Sequence, residues 1–207
     1  NFLALLGWGY DDKTEFFTTE ELIEKFSLDH VSKNPAVFDY KKLAWMNSQY
    51  INKCNIERLI TLLTPIFKDK NVDITKRDRE WLISAINLER QRAITLFDIS
   101  NNLKYYLDDH IEIQEEARTK HLSQDESFNI LQIIKAKLET LDSFTLESLE
   151  KIFGEIATEQ NLKLGKLVHP VRVALTGKTV GPGVFELLHV MRKEMSLHPI
   201  QDILATR

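Results

Sequence analysis

An all-α fold is predicted by three observations. Apolar residues recur at three- and four-residue spacing through nearly the whole chain, strand-like alternation is almost absent, and helix-capping side chains stand where the apolar stripes begin. The composition agrees: of 207 residues 43% are hydrophobic and 28% charged, with only 7 Gly and 5 Pro. That much apolar surface outweighs the entropy of ordering, which excludes disordered and fibrous classes.

The first stripe, Leu22, Ile23 and Phe26, follows Thr18 and Glu21, a pairing in which each side chain bonds the other's backbone amide. Asp39 is placed to cap the next helix, with Leu43, Met46 and Tyr50 on one face. Trp45 and Tyr50 read as core. Ile56, Leu59, Ile60 and Leu63 form another stripe, expected to stop near Pro65. Thr75 with Asp78 opens a long run through Trp81, Leu82, Ile86, Leu96 and Tyr105-Tyr106, with a bend expected over 88–94, where charges interrupt the periodicity. Ser123 with Glu126 predicts a second capping box ahead of Leu131, Ile134 and Leu138, and Thr145 precedes Leu149, Ile152, Phe153 and Ile156. Gly177 is placed as a left-handed stop after Leu167, Val168, Val171 and Leu175; Pro182 suits the first turn of a last helix through Phe185, Leu188 and Met191. The acidic stretch Asp108–Gln124, which includes the pair Asp108-Asp109, is the best linker candidate, and 52–55 is a second boundary.

Several function classes are excluded early. The longest apolar run is far short of the ~20 residues that span a bilayer. The apolar opening Asn1–Trp8 lacks a basic flank and breaks at Asp11-Asp12, so it does not read as a signal peptide. The chain opens without Met inside an apolar pattern and reads as a fragment. One cysteine, Cys54, rules out an internal disulfide and a Cys-based zinc site, and fits a reducing cytoplasm. No glycine-rich phosphate loop and no H-E-x-x-H occurs, and the six histidines show no ligand spacing. Taken by itself the sequence offers no active site.

Charge is unevenly distributed. The net is −4, yet from residue 161 onward seven basic residues (Lys163, Lys166, Arg172, Lys178, Arg192, Lys193, Arg207) meet three acids, a local +4; the first 160 residues carry 20 basic against 28 acidic, or −8. The basic end points towards a polyanion. It contains Arg172-Val-Ala-Leu-Thr-Gly177 and a loop through Lys178 to Gly181-Pro182-Gly183-Val184. An arginine fork can bond or stack on a base, and a proline-flanked loop with Val184 offers an apolar ledge, a combination suited to single-stranded RNA. An ordinary helix–loop–helix corner accounts for the same residues.

Several stretches together resemble the C-terminal half of the bacterial-type glutamyl-tRNA synthetases, class I aminoacyl-tRNA synthetases. Asn1-Phe-Leu-Ala-Leu-Leu-Gly-Trp8 is similar to the family's N-Y-L-A-L-L-G-W segment. Val31-Ser-Lys-Asn-Pro-Ala-Val-Phe-Asp39, with Lys42-Leu43-x-Trp45-x-Asn47-x-x-Tyr50-Ile51, resembles its stem-contact region. Arg92-x-x-Thr95-Leu96 with Tyr105-Tyr106 resembles the helix of a first anticodon-binding subdomain. Arg172-Val-Ala-Leu-Thr-Gly177 and Pro182-Gly-x-Phe185 match the motif of a second.

The resemblance implies a stem-contact helical region over 1–54, then a cage-like helical-bundle anticodon-binding domain in two subdomains, 55–122 and 123–207. It implies tRNA(Glu), and by relaxed discrimination tRNA(Gln), as partner, with no membrane, a cytoplasmic location and a monomeric state. The family ligates glutamate to tRNA through a glutamyl-adenylate with ATP and Mg. Its H-I-G-H and K-M-S-K signatures are absent from this sequence, so ATP and Mg are expected in a catalytic domain outside the chain, with no cofactor and no metal here. By motif position Arg172 would contact an anticodon base, with Pro182 and Val184 beneath it and Lys178 in the adjoining loop. Arg92, with Arg90 as second candidate, would read the third anticodon base. Lys33 and Asn47 would touch the stem. The competing expectation is a helical protein-interaction module without RNA binding.

Overall fold

The structure, a computed structural model, describes residues 1–207 except Asp12, Asp109 and Arg207. Those three positions of the Asp11-Asp12 break, the Asp108-Asp109 pair and the basic tail therefore lie outside the described residues. Among the described residues all regular elements are helical: α1 Thr19–Lys25, α2 Tyr40–Lys53, α3 Ile56–Lys68, α4 Arg79–Arg90, α5 Leu96–Asn102, α6 Lys104–Leu107, α7 Glu115–His121, α8 Asp125–Thr140, α9 Leu146–Glu159, α10 Leu164–Thr176 and α11 Val184–Ala205. Extended pairing among the described residues is a single bridge, Trp8 with Val31.

Local chemistry starts the helices largely as the sequence predicts. The Thr18–Glu21 box is formed in both directions, and Asp39 accepts from the amides of Lys41 and Lys42. Thr145 and Ser148 form another box, as do Thr95 and Asp98. Gly177 ends α10 at φ 71°, and a Cβ there would lie 2.0 Å from the Glu112 carbonyl oxygen. The left-handed turn thus also allows a close backbone approach, sealed by the Gln114 amide donating to the Gly177 carbonyl at 2.9 Å.

Elsewhere tertiary partners override the local reading. α3 runs through Pro65 to Lys68, because Phe67 in its last turn is buried in the core. Ser123 does not cap α8: its hydroxyl donates back to the Thr119 carbonyl at 2.7 Å, and α8 begins at Asp125 after Gln124. Asp78, not Thr75, caps α4, while Asp73 caps a short 3-10 turn at Ile74–Lys76. The expected bend over 88–94 is a break between α4 and α5. The 108–124 stretch is no plain spacer, since it carries α7 and buries Ala117 and Leu122. Pro182 lies just before the Gly183 N-cap of α11, outside the first turn. α11 itself is two helical stretches joined at Arg192, which holds φ 61°, ψ 177°.

A single cluster of buried apolar side chains extends from Ile51 to Ile203, with Leu63, Phe67, Ile86, Leu103, Leu131, Phe153 and Leu187 fully enclosed. α8, α10 and α11 pack against one another in its second half, and α11 reaches back to α4. Burial of this kind is worth about 25 cal/mol per Å² of apolar surface. The first 50 residues differ. Trp45 and Tyr50 are not core but 43% and 47% exposed, each packed edge-on or tilted against Phe16 at 5.5 Å. No helix among the described residues is long and apolar enough to cross a membrane.

Candidate nucleic-acid interface

The corner where α4, α5, α6 and α10 meet is built round a buried carboxyl. Glu89, in the last turn of α4, is fully enclosed and accepts from the hydroxyls of both Tyr105 and Tyr106, the latter at 3.0 Å. Burial raises its pKa above the ordinary carboxylate value, against the opposing effect of the tyrosine bonds, and burial with the Glu89 charge raises both tyrosines. Asn102, next to this group, accepts from Lys178 Nζ at 3.0 Å. Lys178 is thus anchored across the interface between α5 and the loop after α10.

Two arginines converge on the same corner. Arg172, in α10, is half-buried under the loop, with its Cδ 3.8 Å from where a Gly181 Cβ would sit. Its Nε is enclosed without a hydrogen-bond partner. Its pKa is lowered, chiefly by burial and then by the charge of Arg92. Arg92, just beyond α4, is exposed; its amide donates to the Glu89 carbonyl at 3.2 Å, while its guanidinium makes no hydrogen bond to another described residue. Two like charges kept together with donors to spare form a receptor for an electron-rich, planar or anionic group.

The remaining predicted residues divide. Arg90 is turned inward, where its guanidinium donates to the carbonyls of Asn52 and Cys54, the latter at 3.1 Å, and clamps the α2–α3 corner. That leaves Arg92 as the free member of the pair. Pro182 is buried and Val184, the first residue of α11, is 2% exposed, so neither presents an open ledge; the exposed apolar residue of this loop is Val180, at 76%. Asn47 donates to the Ile94 carbonyl at 2.5 Å, tying α2 to the segment that carries Arg92, and Lys33 is exposed at a distance in sequence from both arginines. Sequence reasoning missed Glu89 and Asn102, because their partners are set by packing and no motif marks them. Among the described residues no three His, Cys, Asp or Glu side chains come together as a metal cage.

Similarity to known proteins identifies the family. A family model described as "Anticodon binding domain" matches residues 58–204, and one for the catalytic domain of class I tRNA synthetases (E and Q) matches residues 1–45. The chain is 40% identical over 206 residues to a glutamate–tRNA ligase of Thermodesulfovibrio yellowstonii and 40% over 206 residues to that of Syntrophobacter fumaroxidans, covering 99% of itself in each case. It spans only 44% and 43% of those proteins. A solved glutamate tRNA ligase from Elizabethkingia meningosepticum superposes with a TM-score of 0.86 at 27% identity, over 99% of this chain and 40% of that one. With more than half its length matched by one family model, the chain belongs to the anticodon-binding domain family and corresponds to the C-terminal portion of the bacterial glutamyl-tRNA synthetases.

Proposed function

We propose that this chain binds tRNA(Glu) as the anticodon-reading portion of a cytoplasmic glutamate–tRNA ligase. The observation that carries the reading is the pairing of half-buried Arg172, whose Nε lacks a partner, with exposed Arg92 at the corner organised by Glu89. Arg172 and Arg92 contact anticodon bases, Lys178 and Val180 flank them in the loop, and Lys33 meets the stem. Arg90 and Asn47 position the segment around Arg92 rather than touch RNA. In the whole ligase, ATP and Mg belong to the catalytic domain, and glutamate transfer through an adenylate happens there. tRNA(Gln) is admitted to the extent that Arg92 tolerates its third anticodon base. The division at 54 and at 122 separates stem contact from two anticodon-facing halves that share one core.

The test is fluorescence anisotropy of labelled tRNA(Glu) with this chain at low and moderate salt, beside the same tRNA with its third anticodon base changed. The reading expects affinity to fall steeply with salt, since each phosphate contact releases counterions, and expects the natural anticodon to bind more tightly. A folded chain that ignores both tRNAs at low salt overturns it. That result would favour a protein-interaction module, for which the exposed apolar side chains of the first 50 residues are the supporting observation.

A further inference from the structure

A second basic feature lies beyond the arginine corner, and no motif in the sequence marks it. α7, α8 and α10 enclose a cleft of about 440 Å³, floored by Ile130 and Pro170. Its rim carries Lys120 and His121 from α7, Lys163 just before α10, and Lys166 and His169 within α10. The basic side chains of α10 and its N-cap follow at three-residue steps, Lys163, Lys166, His169 and Arg172, along one ridge of the helix. The ridge therefore leads from the cleft to the arginine already assigned to a base. The carboxylate facing the cleft from α8, Glu126, is occupied by Lys166 at 3.2 Å. Lys120 and Lys163 have no ion-pair partner among the described residues.

His121 and His169, 48 positions apart in sequence, stack face to face with ring centroids 4.8 Å apart and planes within 17°. Two neutral imidazoles stack well, whereas two imidazolium rings repel. The groups that face the pair are Lys120 from α7, Glu126 from α8, Lys163 at the N-cap of α10, and Lys166 and Arg172 within it. This is a cluster of donors whose one facing acid, Glu126, is already paired with Lys166.

We infer that the cleft between α7, α8 and α10 seats a phosphodiester of the RNA strand whose base meets Arg172. Lys120 and Lys163 supply charge, the paired rings supply two further donors, and the ridge of α10 guides the backbone from cleft to corner. The inference rests on the tRNA reading above, but it assigns a separate site with a separate signature. Partial burial, followed by neighbouring positive charge, lowers the pKa of both rings in the free chain. A seated phosphate reverses this, so binding takes up protons and tightens as pH falls. Each pKa unit that phosphate adds to a ring is worth about tenfold in affinity, gained progressively as pH falls from the raised value in the complex to below that of the free chain.

Two measurements test it. The first compares tRNA(Glu) binding by the unaltered chain with that of Lys120→Ala/Lys163→Ala, across salt and from pH 8 to pH 5.5. The salt slope should shrink by about 1 for each lysine removed, with anticodon preference unchanged, and His169→Asn should flatten the pH profile. A chain that binds tRNA with the same slope and pH profile in all variants overturns the site while leaving the anticodon reading intact. The second follows the imidazole Cε1–H resonances during titration with penta-uridylate, which needs no anticodon. Movement of His121 and His169 to higher pKa, with exposed His189 unmoved, supports the site even if intact tRNA fails to bind. Unmoved rings overturn it, and so does a response to an acidic peptide without a response to the oligonucleotide.

Discussion

Residues 1–50 and residues 51–206 are written in the same apolar spacing, yet they fold to different ends. In the later region the stripes close on one another: Leu59, Leu63, Ile86, Leu131, Phe153 and Leu187 are enclosed within one continuous core. In the earlier one Trp8, Phe17 and Met46 are buried, while Leu3, Ile23, Phe26, Leu28, Val37, Tyr40 and Trp45 face outward. There the aromatic rings pack pairwise along the surface, Phe2 on Phe38 and Phe38 on Tyr40 both at 4.8 Å. Periodicity specifies a helix, but burial depends on a second stripe arriving opposite the first. The later region supplies its own opposing stripes. The earlier one does not, and that is where the prediction of Trp45 and Tyr50 as core fails.

The contrast is most open to disproof where burial is deepest. Phe153→Ala removes a fully enclosed ring between α9 and α11 and should cost about 3–5 kcal/mol in chemical denaturation. A loss below 1 kcal/mol would mean that the second-half core is loosely packed. Next, Gly177→Ala places a Cβ against the Glu112 carbonyl and demands a positive φ of a residue that resists it. A destabilisation of about 2–4 kcal/mol is expected, with lost exchange protection at the Gln114 amide, whose acceptor moves.

A smaller effect sharpens the comparison, because the later region encloses a carboxyl as well as hydrocarbon. Glu89 has a folded-state pKa raised by burial, so the folded chain binds its proton more tightly than the unfolded chain does. Its contribution is therefore fully present below the unfolded value near about 4.3 and is lost as pH rises through the raised folded value. Glu89→Gln keeps an acceptor for the tyrosines and removes the titration. Near neutral pH it should raise stability relative to the unaltered chain and flatten the profile of stability against pH above the carboxylate range. A profile identical to that of the unaltered chain would place the Glu89 pKa at its ordinary value. The smallest effect belongs to the first region. Tyr40→Ala, at a side chain 77% exposed, should change stability by no more than about 0.5 kcal/mol, and a large loss would show that its aromatic contacts act as core.

What was legible in the sequence was what one segment decides for itself. Thr18, Asp39 and Thr145 cap helices within three residues of their own position, and Gly177 turns the chain by its own backbone freedom. Arg90 and Arg92 show the limit. They stand two apart at one helix end, and only the carbonyls of Asn52 and Cys54, brought in by the α2–α3 corner, turn Arg90 inward and leave Arg92 out. Pro182 and Val184 mark the right loop, but packing buries both and Val180 takes the exposed position. The Glu89–Tyr105–Tyr106 bonds join residues 16 and 17 apart, and the stacked histidines meet only once α7 lies against α10. Side chains that find their partners through packing leave no local pattern.

The central claim is that Arg172 and Arg92 at the α4–α10 corner read bases, and it is tested most directly by a matrix of binding measurements. The unaltered chain, Arg172→Ala and Arg92→Ala would each be titrated with tRNA(Glu) carrying single changes at each anticodon position. Each arginine should matter at one base: its removal costs about 1–3 kcal/mol with the natural base there and little once that base is changed. Equal losses for every tRNA would contradict base reading and reduce both arginines to phosphate contacts.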